Sequence, residues 1–355
     1  MKRSILLYVV LAGFVTMSCK DDNDSVPAVN ETQNSAILTS FSAVIAASVY
    51  TDLAANTTNL YANVLDLVED PSDVNLAKCQ ASWKSSREVW EQSEAHLFGP
   101  VATEEIDPRI DTWPVNFVDL DAQLASDNEF TEEYVNNLDA ALKGFHPIEY
   151  LLFGKEGNKK GKDLSARELE YLEALAKNLG DLTTELAIQW MSTTSGNYQD
   201  EISKAGDGST AYATQRAAFE EIVNAMAGIC DEVANGKLAE PYDAKDPSLE
   251  ESPFAGTSII DFTNNIKGVK NVYTGKFKTD GAGLDDLVKT HNLSLDADIN
   301  AKIDAAITAL GNITVPFGEA INDQSVQVQN AMDAINDLHN ILEEQLLPFV
   351  QQHSN

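Results

Sequence analysis

A helical repeat running through almost the whole chain is the strongest constraint on what it can fold into. Ile37, Phe41, Val44, Ile45, Val49, Leu53, Leu60, Val64, Leu65 and Val68 recur at spacings of three and four residues and stop before Pro71. At roughly 3.6 residues per turn, that spacing gathers them on one stripe of an α-helix. The pattern continues over 74–98, ending at Gly99-Pro100, and returns over 132–143, 146–153, 165–191, 212–238, 258–277, 296–310 and 318–352. No segment sustains the apolar–polar alternation of a half-buried strand, so the expected fold is all-α with little or no β-structure. Of 355 residues, 43% are hydrophobic and 23% charged, which is enough to bury a core and excludes wholesale disorder. The stretch KEGNKKGKD over 155–163 is the one basic island in an acidic chain and reads as a hinge. It divides an N-terminal helical half, 35–160, from a C-terminal half, 161–355. Two other long breaks lie at 195–208 and at 240–253, the second carrying Pro241, Pro247 and Pro253. Long breaks of this kind are often functional, which marks Glu251 and Ser252 and the following Phe254.

The chain before the repeat is of another kind. Lys2 and Arg3 precede an apolar run from Ile5 to Val15, about 11 residues long, which is too short for a membrane span of ~20 and matches the apolar core of a secretory signal. Thr16-Met17-Ser18-Cys19 follows and resembles the lipobox of bacterial lipoproteins, with Thr16 a departure from the usual Leu. Residues 1–18 are thus expected to be a lipoprotein signal peptide and Cys19 the lipidated residue. The polar stretch 19–34 reads as a flexible acidic tether. Its Lys20-Asp21-Asp22 start is either a surface-export signal or a solvated spacer, so the expected place is the cell envelope, as an outer-membrane lipoprotein at its inner or outer face. The formal charge is −32, and about −34 once Lys2 and Arg3 are removed. Such a chain repels phosphate backbones, which excludes nucleic acid as the main partner. Cys79 and Cys230 both sit in helical patterns, as a permitted disulfide or as small core residues.

Chemistry concentrates in three stretches. In Gly144-Phe145-His146-Pro147-Ile148-Glu149-Tyr150, a histidine and a glutamate three apart on a helix can converge on one cation. The bland alternative places Glu149 in a first helical turn after Pro147, where the unpaired N–H groups and the helix dipole favour a carboxylate anyway. In Arg87-Glu88-Val89-Trp90-Glu91-Gln92-Ser93-Glu94, the residues Glu91 and Glu94 share a face, and paired carboxylates are how helical bundles hold iron or manganese. An Arg87–Glu91 pair on a wet surface is the competing explanation, with Trp90 and Phe98 as core. Ile106-Asp107-Pro108-Arg109-Ile110-Asp111-Thr112-Trp113-Pro114 adds Asp107 and Asp111, as site residues or as turn caps.

WEQSEAHLFGPV, IDPRIDTWP and GFHPIEYLLFG, in this order, resemble the imelysin family, also called the insulin-cleaving membrane protease family. Its hallmark, Gly-x-His-x-x-Glu, is matched by Gly144, His146 and Glu149. ESPFAGTS over 251–258, Asp261-Phe262 and Asn264-Asn265-Ile266 extend the resemblance into the C-terminal half. The resemblance implies two bundle-like halves related by duplication, with the site in a cleft near their interface. It also implies an envelope protein of the kind found in iron-uptake systems. His146 and Glu149 would be the site residues, with Glu94, Glu91, Arg87, Asp107 and Asp111 as neighbours.

Three functions are open to such a chain. As a metal-binding lipoprotein, it would take iron, or zinc or manganese at the same ligands, through His146, Glu149, Glu94 and Glu91. It would assist iron uptake, in company with an outer-membrane iron or haem transporter. As a metallopeptidase, it would need about three ligands, an open position and a general base. His-Glu-x-x-His is absent, the inverted motif fails at Tyr150, and Glu149 cannot be both ligand and base. As a metal-free surface module, it would use His146 and Glu149 as a polar latch. His96, His291, His339 and His353 are available to haem, but no Cys-x-x-Cys-His exists for covalent attachment. The reading favoured by the sequence is the first, with no enzymatic activity required.

Overall fold

The structure, a computed structural model, describes residues 28–354, so the signal peptide and Cys19 lie outside the described residues. Ten helices carry the architecture: α1 (Ala28–Ser40), α2 (Ala47–Glu69), α3 (Asp73–Ser93), α4 (Ile106–Ile110), α5 (Phe145–Phe153), α6 (Ala166–Trp190), α7 (Gln215–Asp231), α8 (Ser258–Thr274), α9 (Leu293–Gly311) and α10 (Ser325–Ile341). The β-structure among the described residues is one antiparallel pair, Lys276–Phe277 with Thr279–Asp280. The fold is all-α, as the periodicity predicts.

α2 is the spine of the first bundle. Leu53, Leu60, Val64 and Leu67 are fully buried where it packs along α3 and α6, each contributing about 1.5–3 kcal/mol relative to exposure. The helix of which α2 is part is long and apolar enough to cross a membrane, but 56% of that window is buried inside the protein. Ser165 and Glu168 close a capping box at the start of α6, fixing its N-terminus just after the basic island. The second bundle packs α9 on α10 and α8, and α7 on α10. α3 crosses α8 to join the two. Gly268 makes the crossing close, since a Cβ there would collide with the Gln92 carbonyl.

Several expectations need correction. The stretch expected as tether, 19–34, is helical from Ala28 onward, where α1 begins, and residues 19–27 lie outside the described residues. Its polar residues bond to protein: Gln33 Nε2 donates to the Asp286 carbonyl at 2.9 Å and to Thr290 Oγ1 at 3.1 Å. The predicted helix over 132–143 is only Glu132–Asn136 and a turn of 3₁₀-helix at Ala140–Leu142, because Asp139 caps a new start by accepting from the Ala141 N–H. The break at 195–208 contains the helix Tyr198–Ser203, started by Asn197. α6 lies beyond the basic island yet packs on α2, so the first bundle draws residues from both sides of 160/161. Cys79 and Cys230 are free and buried.

Candidate metal centre

On α3, Cys79, Trp83, Arg87 and Glu91 are spaced by four, so one stripe carries all of them. The stripe faces inward, Trp83 packing on Phe145 and Phe153 of α5 and Arg87 and Glu91 reaching Asp261 and Asn265 of α8, so Arg87 and Glu91 stand at core positions essentially without solvent access. The i, i+4 pair forms, but in the interior. Arg87 also binds Asp111, reaches Glu251 at 3.1 Å and lies 4.0 Å from Asp261. A buried guanidinium is tolerable only when its donors are met in this way.

Two devices bring the remaining groups in. Gly144, the glycine of Gly-x-His-x-x-Glu, has φ 83° and packs so tightly on the Ile110 main chain that a Cβ would collide with it. Its role is to seat the start of α5 against the end of α4, which places His146 beside Asp111. A π-helical segment, Glu232–Leu238, interrupts the helix after α7 and turns Lys237 inward. Lys237 Nζ lies 2.9 Å from both Glu94 Oε2 and Glu251 Oε1. Asn265 on α8 donates to the Glu91 carboxylate at 2.7 Å and to Glu94. The Trp90 indole N–H donates to Asp111 Oδ2 at 2.6 Å, so this ring is both core and site.

His146 is fully buried, with Nε2 3.1 Å from Asp111 Oδ1 and Nδ1 3.5 Å from Glu149 Oε2. Neither ring nitrogen makes a well-directed hydrogen bond. The two carboxylates thus stand at opposite nitrogens of one ring. Glu149 is turned away from the acidic cluster: its Oε1 accepts from the main-chain N–H groups of Phe254 at 2.9 Å and Ala255 at 2.7 Å. His146 and Glu149 thus face each other as the spacing suggests, while the wider set of mutually close ligand atoms is Asp111, His146 and Glu251, each offering one atom within 4.8 Å of the others. Glu94, Asp107 and Asp111 form a second such set. Ser252 donates its N–H to Ser258 Oγ at 3.2 Å, which anchors the loop carrying Glu251.

Part of this cluster opens on a cleft of about 380 Å³, walled by Glu94, Asp107, Asp111, Glu232, Glu240 and Glu251 against one cation, Lys237, with His146 fully buried beside Asp111. Its electrostatics are those of a cluster short of positive charge. Burial opposes charge on Asp111, but Arg87 and His146 outweigh it and hold the carboxyl well below its ordinary range. Lys237 and Arg87 likewise overcome burial at Glu251 and lower it. For the others burial wins: Glu94 and Asp261 are pushed well up and Glu91 up, and burial with Asp111 nearby raises Asp107 to about 7. Burial also opposes charge on His146, yet the carboxylates of Asp111 and Glu149 beside its two nitrogens lift it to about 9. Fully ionised, the buried carboxylates Glu91, Glu94, Asp111, Glu251 and Asp261 would exceed Arg87 and Lys237 by three charges. Protons make up the difference, and a cation could replace them. The donor set fits that role: one imidazole with unsatisfied nitrogens, the unpartnered Glu251 Oε2, and hard carboxylate oxygens.

Every site residue marked in the sequence lies in or against this cluster, with Gly144 serving packing and Glu149 the loop. Lys237, Asp261 and Asn265 were missed as site groups. Asp261 and Asn265 were visible only in the familial stretches after 251. Nothing in the sequence around Lys237 signals a π-turn.

The imelysin family model matches residues 46–345. The chain is similar to Iron-regulated protein A of Synechococcus elongatus, 29% identical over 308 residues, which span 85% of this chain and 83% of that protein. A solved structure from Parabacteroides distasonis, assigned as an iron-regulated protein A precursor, superposes with a TM-score of 0.83 at 26% identity, over 94% of this chain and 97% of that one. An imelysin-like protein from Psychrobacter arcticum shares the fold, with a TM-score of 0.75 at 15% identity over 92% and 98% of the two chains. With the motif, the cleft and the match over most of its length in agreement, the chain belongs to the imelysin family.

Proposed function

We propose that this chain is a metal-binding protein of the cell envelope that assists iron uptake, and that Asp111, His146 and Glu251 hold the ion. The observation that carries the reading is the convergence of these three buried ligand atoms, one imidazole and two carboxylates, at the end of an acidic cleft. Carboxylate and imidazole together suit iron, with manganese and zinc as competitors. The relatives named as iron-regulated support iron over the others. Glu149 faces the ring nitrogen remote from Asp111 and orients the imidazole, as carboxylates behind ligating histidines do. Glu94 and Asp107 supply a second carboxylate set along the cleft. A bound cation would supply the positive charge that this cluster otherwise draws from protons. Cys19 would anchor the protein to the outer membrane, where an iron or haem transporter would be its partner.

Hydrolysis has weaker support. A metallopeptidase needs a free carboxylate beside the ion to activate water, and Glu149 has one oxygen committed to two main-chain N–H groups. The test is metal content and binding of iron, manganese and zinc by the purified protein, His146→Ala and Glu251→Gln. About one tightly held equivalent that both folded variants lose supports the reading. No binding above background, or binding undiminished in the variants, refutes it.

A further inference from the structure

The basic island and the side chains of Phe117, Tyr150 and Phe254 offer no ligand to the metal site, yet they meet in space. A second cavity of about 360 Å³ lies on the far side of Trp113 from the acidic cleft. Its walls are Trp113, Phe117, Tyr150 and Phe254, four rings in mutual contact: Phe117 and Tyr150 at 5.0 Å between centroids, Tyr150 and Phe254 at 5.3 Å, Phe117 and Phe254 at 5.9 Å, and Trp113 and Phe254 at 6.3 Å. The first two pairs and Phe117 with Phe254 are edge-on, an arrangement that leaves ring faces for a further planar group. A volume of this size lies at the lower end of small-molecule pockets, suited to one or two rings and not to a large macrocycle.

The rim decides the charge of the occupant. Lys155 lines the cavity and forms no ion pair among the described residues. It opens the island that includes Lys159, Lys160 and Lys162, and of these Lys159 is paired with Glu168. The island is held against the pocket by a close approach: Gly157, at φ 66°, leaves no room for a Cβ beside the Phe254 carbonyl. Asp121 is the one acid in the lining. In a chain of charge −32, Lys155 is the one cation in the lining of this aromatic pocket, and having no ion pair among the described residues it is left to meet the charge of an anionic occupant.

We propose that this pocket binds a small planar aromatic anion, a one- or two-ring aromatic carboxylate or phenolate, its ring among Phe117, Tyr150 and Phe254 and its charge toward Lys155. The pocket is read from its own lining and does not depend on a metal. It is nevertheless a neighbour of the metal site, since the Trp113 ring lies tilted against His146 at 5.1 Å and Phe254 holds Glu149 through its N–H.

Saturation-transfer NMR and calorimetry of the purified protein with 2,3-dihydroxybenzoate test this, using cyclohexanecarboxylate and 2,3-dihydroxybenzamide as controls. Saturable binding of the benzoate is expected, at least about tenfold tighter than that of the non-aromatic acid, because only a planar ring can pack face or edge against the aromatic walls. Phe117→Ala and Phe254→Ala should each weaken it about tenfold. Lys155→Glu, an exposed change with no bearing on folding, should weaken the benzoate several-fold and leave the neutral benzamide unchanged. His146→Ala should retain benzoate binding whether or not it loses metal, which separates this proposal from the metal reading. Absence of saturable binding, equal binding of cyclohexanecarboxylate, or indifference to Lys155→Glu and Phe117→Ala together would overturn it.

Discussion

His96 and His146 are equally buried, yet their surroundings put them in opposite states. His96 ends the 3₁₀ turn after α3, with its ring 5.8 Å from Phe41 and 5.3 Å from Tyr50, and burial alone pushes its pKa down to about 3. His146 loses as much water, but the carboxylates of Asp111 and Glu149 beside its two nitrogens raise it to about 9. The difference teaches that burial does not make a site in this protein. Counter-charge does, and it is supplied by residues that Gly144 and the π-turn bring in from distant parts of the chain.

The comparison can be broken most severely at Asp111. Asp111→Ala strips the shared partner of Arg87, His146 and Trp90 and leaves a buried guanidinium under-compensated. A loss of about 3–5 kcal/mol is expected in urea unfolding. His96→Leu, which removes an equally buried imidazole with no ionic partner, should change stability by about 1.5 kcal/mol or less. A result in which both cost the same would remove the distinction.

Metal affinity should follow the same divide. His146→Ala is expected to abolish binding in equilibrium dialysis, His96→Leu to leave it intact. Glu149→Gln keeps an oxygen for the Phe254 and Ala255 N–H groups but removes the charge behind the ring, so a drop of about tenfold with an unchanged melting temperature is expected.

The pH dependence is the gentlest probe, and the two rings give opposite signs. His146 has a folded pKa of about 9, above the ordinary ~6.5, so its contribution is complete below about pH 6.5 and is lost as pH rises through about 9. For His96 the folded value of about 3 lies below the ordinary one. Its contribution is present above about pH 6.5 and is lost as pH falls toward 3. In NMR of the metal-free protein between pH 5 and 8, His96 should stay neutral and His146 charged. A His146 that titrates near 6.5 would contradict the geometry.

The helices were legible because each long one lays its apolar residues on a 3.6-residue stripe, and the motif residues because Gly-x-His-x-x-Glu and the paired carboxylates of α3 are local patterns. What local patterns could not show was direction. His-x-x-Glu spacing puts both side chains on one face of α5, but Glu149 bends to a loop more than a hundred residues away in sequence, whose N–H groups would otherwise be unpaired in the interior. Arg87–Glu91 has the same spacing as any surface pair, and only the α3–α8 crossing at Gly268 makes it a core. Lys237 was invisible because a π-turn changes which face a residue occupies without changing the sequence pattern. Likewise Gln33 looks like tether, and its bonds to Asp286 and Thr290 on the Leu284–His291 helix make it structure.

If this cluster holds protons in place of a cation, with His146 the protonated ligand, binding of the ion must expel them. Calorimetry of ferrous iron binding near pH 7, repeated anaerobically in buffers of different ionisation enthalpy, measures it directly. The account predicts release of at least about one proton per ion bound, with affinity rising from pH 6 to 8, and neither binding nor release in His146→Ala. Binding with no proton release, or release unchanged in His146→Ala, would contradict it.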